Sequence, residues 1–224
     1  MTDTAALDLA SLLCSRLCHD MLSPVGALSN GLELLRDEKD PEMRRRCMEL
    51  LEQSAKASAD KLKFFRLAFG AAGGFGQMVP VYEARELITA LIGDSGRIAL
   101  DWKVPSEELP KAAVKTLLNL AAIGLEALVR GGTLEVGAEM TGPEAGGASE
   151  IVIRAAGPRI AFDPTIGHAL DGSLPSGELS SRTAPAAMIH QLAASTGGGV
   201  QWHHGEDALV MGAVLPHAPS PGSG

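Results

Sequence analysis

Residues 12–35, LLCSRLCHDMLSPVGALSNGLELL, follow the period of one long amphipathic helix. At about 100° per residue, Leu13, Leu17, Met21, Leu28, Leu32 and Leu35 fall on one side of the wheel, the stripe of a core-facing helix. His19 falls roughly opposite that stripe, with Arg16, Ser23, Gly26, Asn30 and Glu33 as its outer-face neighbours. Ser23 and Gly26, one and two turns downstream, are small, which leaves room for the surface of another protein. An exposed imidazole followed by Asp20 on an approachable helix face suits phosphoryl transfer to and from a partner.

The helix is expected from about Leu7 to Arg36, with the residues before it frayed. Pro24 has no N–H to offer the carbonyl of Asp20, so a kink is expected one turn beyond His19. Asp37-Glu38-Lys39-Asp40 is a polar connection in which Asp40 is a good N-cap and Pro41 suits the first helical position. A second helix then runs to about Phe69 and is closed by Gly70. Its buried side is expected to include Met43, Cys47, Leu50, Leu51, Ser54, Leu62, Phe65 and Phe69. Two long helices with so short a connection are antiparallel neighbours. A lone hairpin has too few layers to bury both stripes, so a homodimer closing a four-helix bundle is expected.

Gly70-Ala-Ala-Gly-Gly-Phe-Gly76 breaks the composition and sets a boundary between a hairpin domain, 1–72, and a second domain, 77–216. The second domain alternates helical and strand patterns. Helices are expected over Val81–Ile92, Pro110–Val129 and Thr183–Ser195. Strands are expected over Arg97–Val104, Thr133–Met140, Glu150–Ala155, Val200–His203 and Ala208–Leu215, the last two forming a hairpin. The fold class is therefore α+β: a helical hairpin followed by an α/β sandwich with helices on one face. The tail 217–224, rich in Pro, Ser and Gly, is expected to be disordered.

Composition narrows the function classes. Of the 224 residues 46% are hydrophobic and only 4% aromatic, enough for a largely aliphatic core. A net charge of −8 argues against nucleic acid as the main partner. No apolar run approaches the roughly 20 residues of a membrane span. The start MTDTAALDLA has no secretory character, and an odd set of cysteines, Cys14, Cys18 and Cys47, fits a reduced cytoplasmic setting. The cysteines read as small buried hydrophobes and not as a metal site. Arg44-Arg45-Arg46 reads as a solvated face balancing nearby acids.

The segment His19-Asp20-Met21-Leu22-Ser23-Pro24 resembles the H-box of sensor histidine kinases, in which a histidine and an acid are followed by Thr, Asn or Ser and then proline. The wider helical run, with FFRLAFGAAG at the end of the second helix, is more similar still to bacterial histidine phosphotransferases built on the kinase plan. The second domain resembles a degenerate kinase ATP-binding domain. Asn119 matches the first position of the kinase Mg²⁺-binding motif, but four residues on stands Ile123, and an aliphatic chain cannot ligate a hard cation. The adenine loop position reads Ala155-Ala156-Gly157-Pro158-Arg159 without an acid, and Glu178-Leu179-Ser180-Ser181-Arg182-Thr183 before the last helix has no glycine.

The resemblance implies a phosphotransferase without ATP and without a cofactor of its own. It accepts a phosphoryl group from a phospho-aspartate on the receiver domain of a hybrid histidine kinase and passes it to response regulators. Mg²⁺ is expected on the partner receiver. His19 is then the phosphorylated residue, neutral imidazole being well populated near pH 7, and Asp20 orients its ring. Arg16 is expected to help neutralise the phosphoryl group. Ser23 stands at the kinase position that orients water. Leu22, Gly26, Asn30, Glu33 and Arg159 are the expected partner contacts. The rival readings are a working histidine kinase and a receiver-binding scaffold that transfers nothing.

Overall fold

A computed structural model of the chain describes residues 3–70, 78–142 and 147–217. Two long helices, α1 (Asp3–Asp37) and α2 (Pro41–Ala68), form the antiparallel hairpin. Asp40 caps α2 through its side chain, which accepts from the Glu42 amide, and Pro41 opens the helix. α1 is helical through Pro24 without a break and begins at Asp3, earlier than the sequence predicts. Tertiary contact holds those first turns: Leu9 is buried, and α1 packs against a late helix of the chain. Arg44 is not simply solvated. It donates to the carbonyls of Leu35 and Glu38 and so caps the end of α1, while Arg45 and Arg46 pair with Glu42 as a solvated face does.

The second unit contains α3 (Val81–Ile92), α4 (Lys111–Ala127), α5 (Pro164–Asp171) and α6 (Ala184–Ser195). A five-stranded sheet is built from β2 (Ile98–Lys103), β4 (Gly132–Thr141), β5 (Ala148–Ala156), β6 (Gly199–His204) and β7 (Ala208–Pro216), in the order β2-β4-β5-β7-β6. The β2–β4 pair is parallel and the others are antiparallel. Alternation fixes the buried face: Leu134, Val136, Ile151, Ile153, Leu209 and Met211 point into the core, while Val152 and Val214 face outward. Two strands of three residues, β1 (Met78–Pro80) and β3 (Glu108–Pro110), pair separately; they are too short to show a period. α5 was also not foreseen, although Asp163 caps its start and Gly172, with φ +79°, closes it.

The root of the hairpin belongs to the same core as the sheet. Phe64, Phe65, Leu67 and Ala68 of α2 are buried in one cluster with α3, α4 and the strands. Toward its far end the hairpin is poorly covered. Of the expected buried side of α2, Cys47 and Phe65 are buried, but Met43, Leu50 and Leu62 are exposed, because α1 alone covers only a narrow face. On α1, Leu32, Cys14 and Cys18 are likewise exposed, against expectation. His217 is not part of a loose tail: its amide donates to the Gly147 carbonyl at 2.7 Å, and its Nε2 lies 2.9 Å from the Ser149 hydroxyl. The rest of the expected tail, 218–224, and residues 71–76 of the glycine-rich break lie outside the described residues. No helix of the described residues is long and apolar enough to cross a membrane.

Two helical glycines separate packing from openness. A Cβ on Gly124 would stand 2.8 Å from a Leu134 methyl, whereas one on Gly26 meets nothing within 4 Å. Urea titration is expected to show Gly124→Val losing about 1–3 kcal/mol as α4 is pushed off the sheet, and Gly26→Ala gaining up to about 1 kcal/mol. Equal effects at the two sites would contradict this packing.

Candidate functional site

His19 stands on the outer face of α1 with its side chain 82% exposed. Its Nδ1 lies 3.1 Å from Oδ1 of Asp20. The second oxygen of Asp20 accepts from Arg16 Nε, one turn earlier, at 2.7 Å. Arg16 in turn donates to Glu126 of α4. The chain of contacts thus runs from the C-terminal unit through Glu126, Arg16 and Asp20 to the imidazole. Burial pushes the Asp20 carboxyl up, but the hydrogen bonds from Arg16 and His19, with the charges of Arg16 and Lys61, outweigh it and hold the group below its ordinary value. Burial acts to lower the Arg16 guanidinium, and the carboxylates of Glu126 and Asp20 more than reverse it. Asp20 is therefore an anion at neutral pH, able to accept an Nδ1–H.

Arg16 does not stand open beside the ring. Its guanidinium lies between two carboxylates and its side chain is only 18% exposed. Ser23, Leu22, Asn30 and Glu33 are exposed on the same helix, and Gly26 borders open space. Arg159 is exposed in the loop after β5 and shares no hydrogen bond or ion pair with the His19 group among the described residues. Sequence reasoning missed Glu126 and Lys61. Lys61 of α2 donates to the backbone carbonyl of Asp20 at 2.9 Å. Counting back across the hairpin turn places residue 20 near 61, so Lys61 was open to discovery. Glu126 depends on how α4 docks on α1, which no local pattern encodes.

A cleft of about 490 Å³ lies between the hairpin and α4, bordered by Arg16, Asp20 and Lys61 on the hairpin and by Asn119, Ile123 and Glu126 on α4. Asn119 is buried, and its amide donates to Lys115 O at 2.8 Å and to Ala68 O at 3.3 Å. It ties α4 to the end of α2. Ile123 is also buried.

Residues 81–208 match the family model described as the histidine phosphotransferase C-terminal domain. The chain is 34% identical over 209 residues to protein phosphotransferase ChpT of Brucella abortus (strain 2308), covering 93% of this chain and 96% of that protein. A 1.7 Å structure of a bacterial phosphotransferase superposes with a TM-score of 0.78 at 33% identity, covering 93% of this chain and 96% of the other. With the fold, the exposed imidazole and these likenesses together, the chain belongs to the histidine phosphotransferase family.

Proposed function

We propose that the protein relays a phosphoryl group between receiver-domain aspartates in a two-component phosphorelay, through a phosphohistidine at His19. The observation that carries this reading is the contact between Nδ1 and Asp20 on an otherwise open ring. With the proton held on Nδ1, the lone pair is on Nε2. Nε2 attacks phosphorus as the acyl phosphate O–P bond breaks, and the aspartate carboxylate leaves. No net proton transfer is needed, since the Nδ1–H stays against Asp20 and the imidazolium charge is balanced there. In the second half the acceptor carboxylate attacks phosphorus and the N–P bond breaks. Both bonds are high in energy, so positioning in line supplies most of the catalysis. Arg16 acts on the ring through Asp20, and the donor and acceptor approach across Leu22, Ser23, Gly26, Asn30 and Glu33. The divalent cation of the reaction belongs to the receiver.

We further propose that the relay runs without ATP. The Asn119 amide is engaged by two backbone carbonyls, and Ile123 offers no oxygen where a nucleotide-bound cation would need one. The kinase reading therefore has no support in the residues bordering the cleft. A cytoplasmic setting is proposed from the three free thiols, Cys14, Cys18 and Cys47.

The working unit is proposed to be a homodimer. Leu7, Cys14, Cys18, Val25 and Leu32 recur at intervals of seven and four residues, the spacing of a helical seam, and all are exposed. On α2, Met43 and Leu50 are exposed one heptad apart. The seam lies about 100–140° around α1 from His19, so pairing of hairpins leaves the imidazole open. Receivers dock on one face and the second copy on another.

Incubation with a phosphorylated receiver, followed by mass spectrometry, is expected to label the wild type at His19 and to leave a folded His19→Ala variant unlabelled. Labelling of that variant, or labelling of the wild type by ATP alone, contradicts the relay. In sedimentation, the wild type is expected to be dimeric and the double variant Val25→Lys with Leu32→Lys monomeric. A monomeric wild type rejects the seam.

A further inference from the structure

Pro24 leaves the turn of α1 that carries His19 one hydrogen bond short. In an α-helix the carbonyl of residue 20 accepts from the amide of residue 24, and proline has none. Pro24 is buried and the contact at the Asp20 carbonyl is part-buried, so an unpartnered acceptor there is costly. The structure places the Lys61 ammonium 2.9 Å from that oxygen. Lys61 comes from the facing helix, so the bond also stitches α2 to α1 at the level of the imidazole. It is charge-assisted and stronger than the amide bond it replaces.

We infer that Lys61 is a positioning residue for His19: by taking the Asp20 carbonyl that Pro24 frees, it fixes the helical turn from which the Asp20 carboxylate grips Nδ1. This inference rests on the relay reading for its function and on the contacts alone for its geometry. Asp20 is then held twice, its carboxylate through Arg16 to α4 and its carbonyl through Lys61 to α2. A turn held at both groups keeps Nε2 aimed outward while a partner's phosphoryl group is met in line.

A mutant cycle between residues 24 and 61 tests this. Labelling of His19 is followed with phosphoramidate, a small phosphoryl donor that needs no identified partner, and amide hydrogen exchange is followed over residues 16–28. Lys61→Met is expected to label about ten-fold more slowly, the scale of a small misplacement of a reacting group, and to exchange faster over that segment. Lys61→Arg is expected to retain most of the rate. Pro24→Ala restores the amide donor, so Pro24→Ala with Lys61→Met is expected to recover both the rate and the protection. A general loss of packing would not be repaired from position 24. The inference is overturned if Lys61→Met labels and exchanges like the wild type, or if the double variant is as impaired as Lys61→Met. A wild type that no phosphorylated receiver labels would sink the relay reading, and the exchange cycle would still decide the role of Lys61.

Discussion

The contact on which the proposed relay depends is that of a carboxylate set against one nitrogen of a surface imidazole. Asp20 Oδ1 lies 3.1 Å from Nδ1 of His19, and Asp20 is itself held by Arg16, which is anchored on Glu126 of another helix. A surface histidine left to itself interconverts tautomers and rotamers. Here the ring is exposed on one side and bound on the other. In the proposed relay, exposure gives access and the bound nitrogen gives direction.

The rest of the molecule supports that arrangement. The five-stranded sheet and its helices build a core that includes the last turns of α2, so the hairpin is not a free arm. α4 reaches the middle of α1, one turn before His19, through Glu126 and holds the end of α2 through Asn119. Glu126 meets Arg16 of α1 and the Asn119 amide meets the Ala68 carbonyl of α2, so both residues are engaged with the hairpin. The C-terminal unit thus braces the part of the hairpin that carries His19. Burial works against both charges, raising the Asp20 carboxyl and lowering the Arg16 guanidinium, and the contacts of Arg16 with Asp20 and Glu126 help to reverse it.

Much of this was legible in the residues, because long periodic segments carry their own signal. The hairpin, its Asp40–Pro41 start, the outward position of His19 and most strands of the sheet follow from spacing alone. The short pair Met78–Pro80 and Glu108–Pro110 has no period to read, and α5 is only eight residues long. Met43, Leu50 and Leu62 are exposed in the single chain, because amphipathicity tells which residues want cover and not whether one chain supplies it. Arg16 was placed near the phosphoryl group by helical spacing, yet its guanidinium is drawn to Glu126, a partner 110 positions away that only tertiary packing brings near. Lys61 is the instructive case. The proline announces an orphan carbonyl and the antiparallel turn brings residue 61 near it, yet the donor was missed until the fold placed Lys61 there.

The central claim is that Asp20 fixes the tautomer, so that Nε2 carries the phosphoryl group. NMR of the phosphorylated protein, reading the ³¹P couplings to the two ring carbons and nitrogens of His19, tests it most directly. The account predicts a single species phosphorylated at Nε2. A phosphoryl group on Nδ1, or on both nitrogens in comparable amounts, would contradict it.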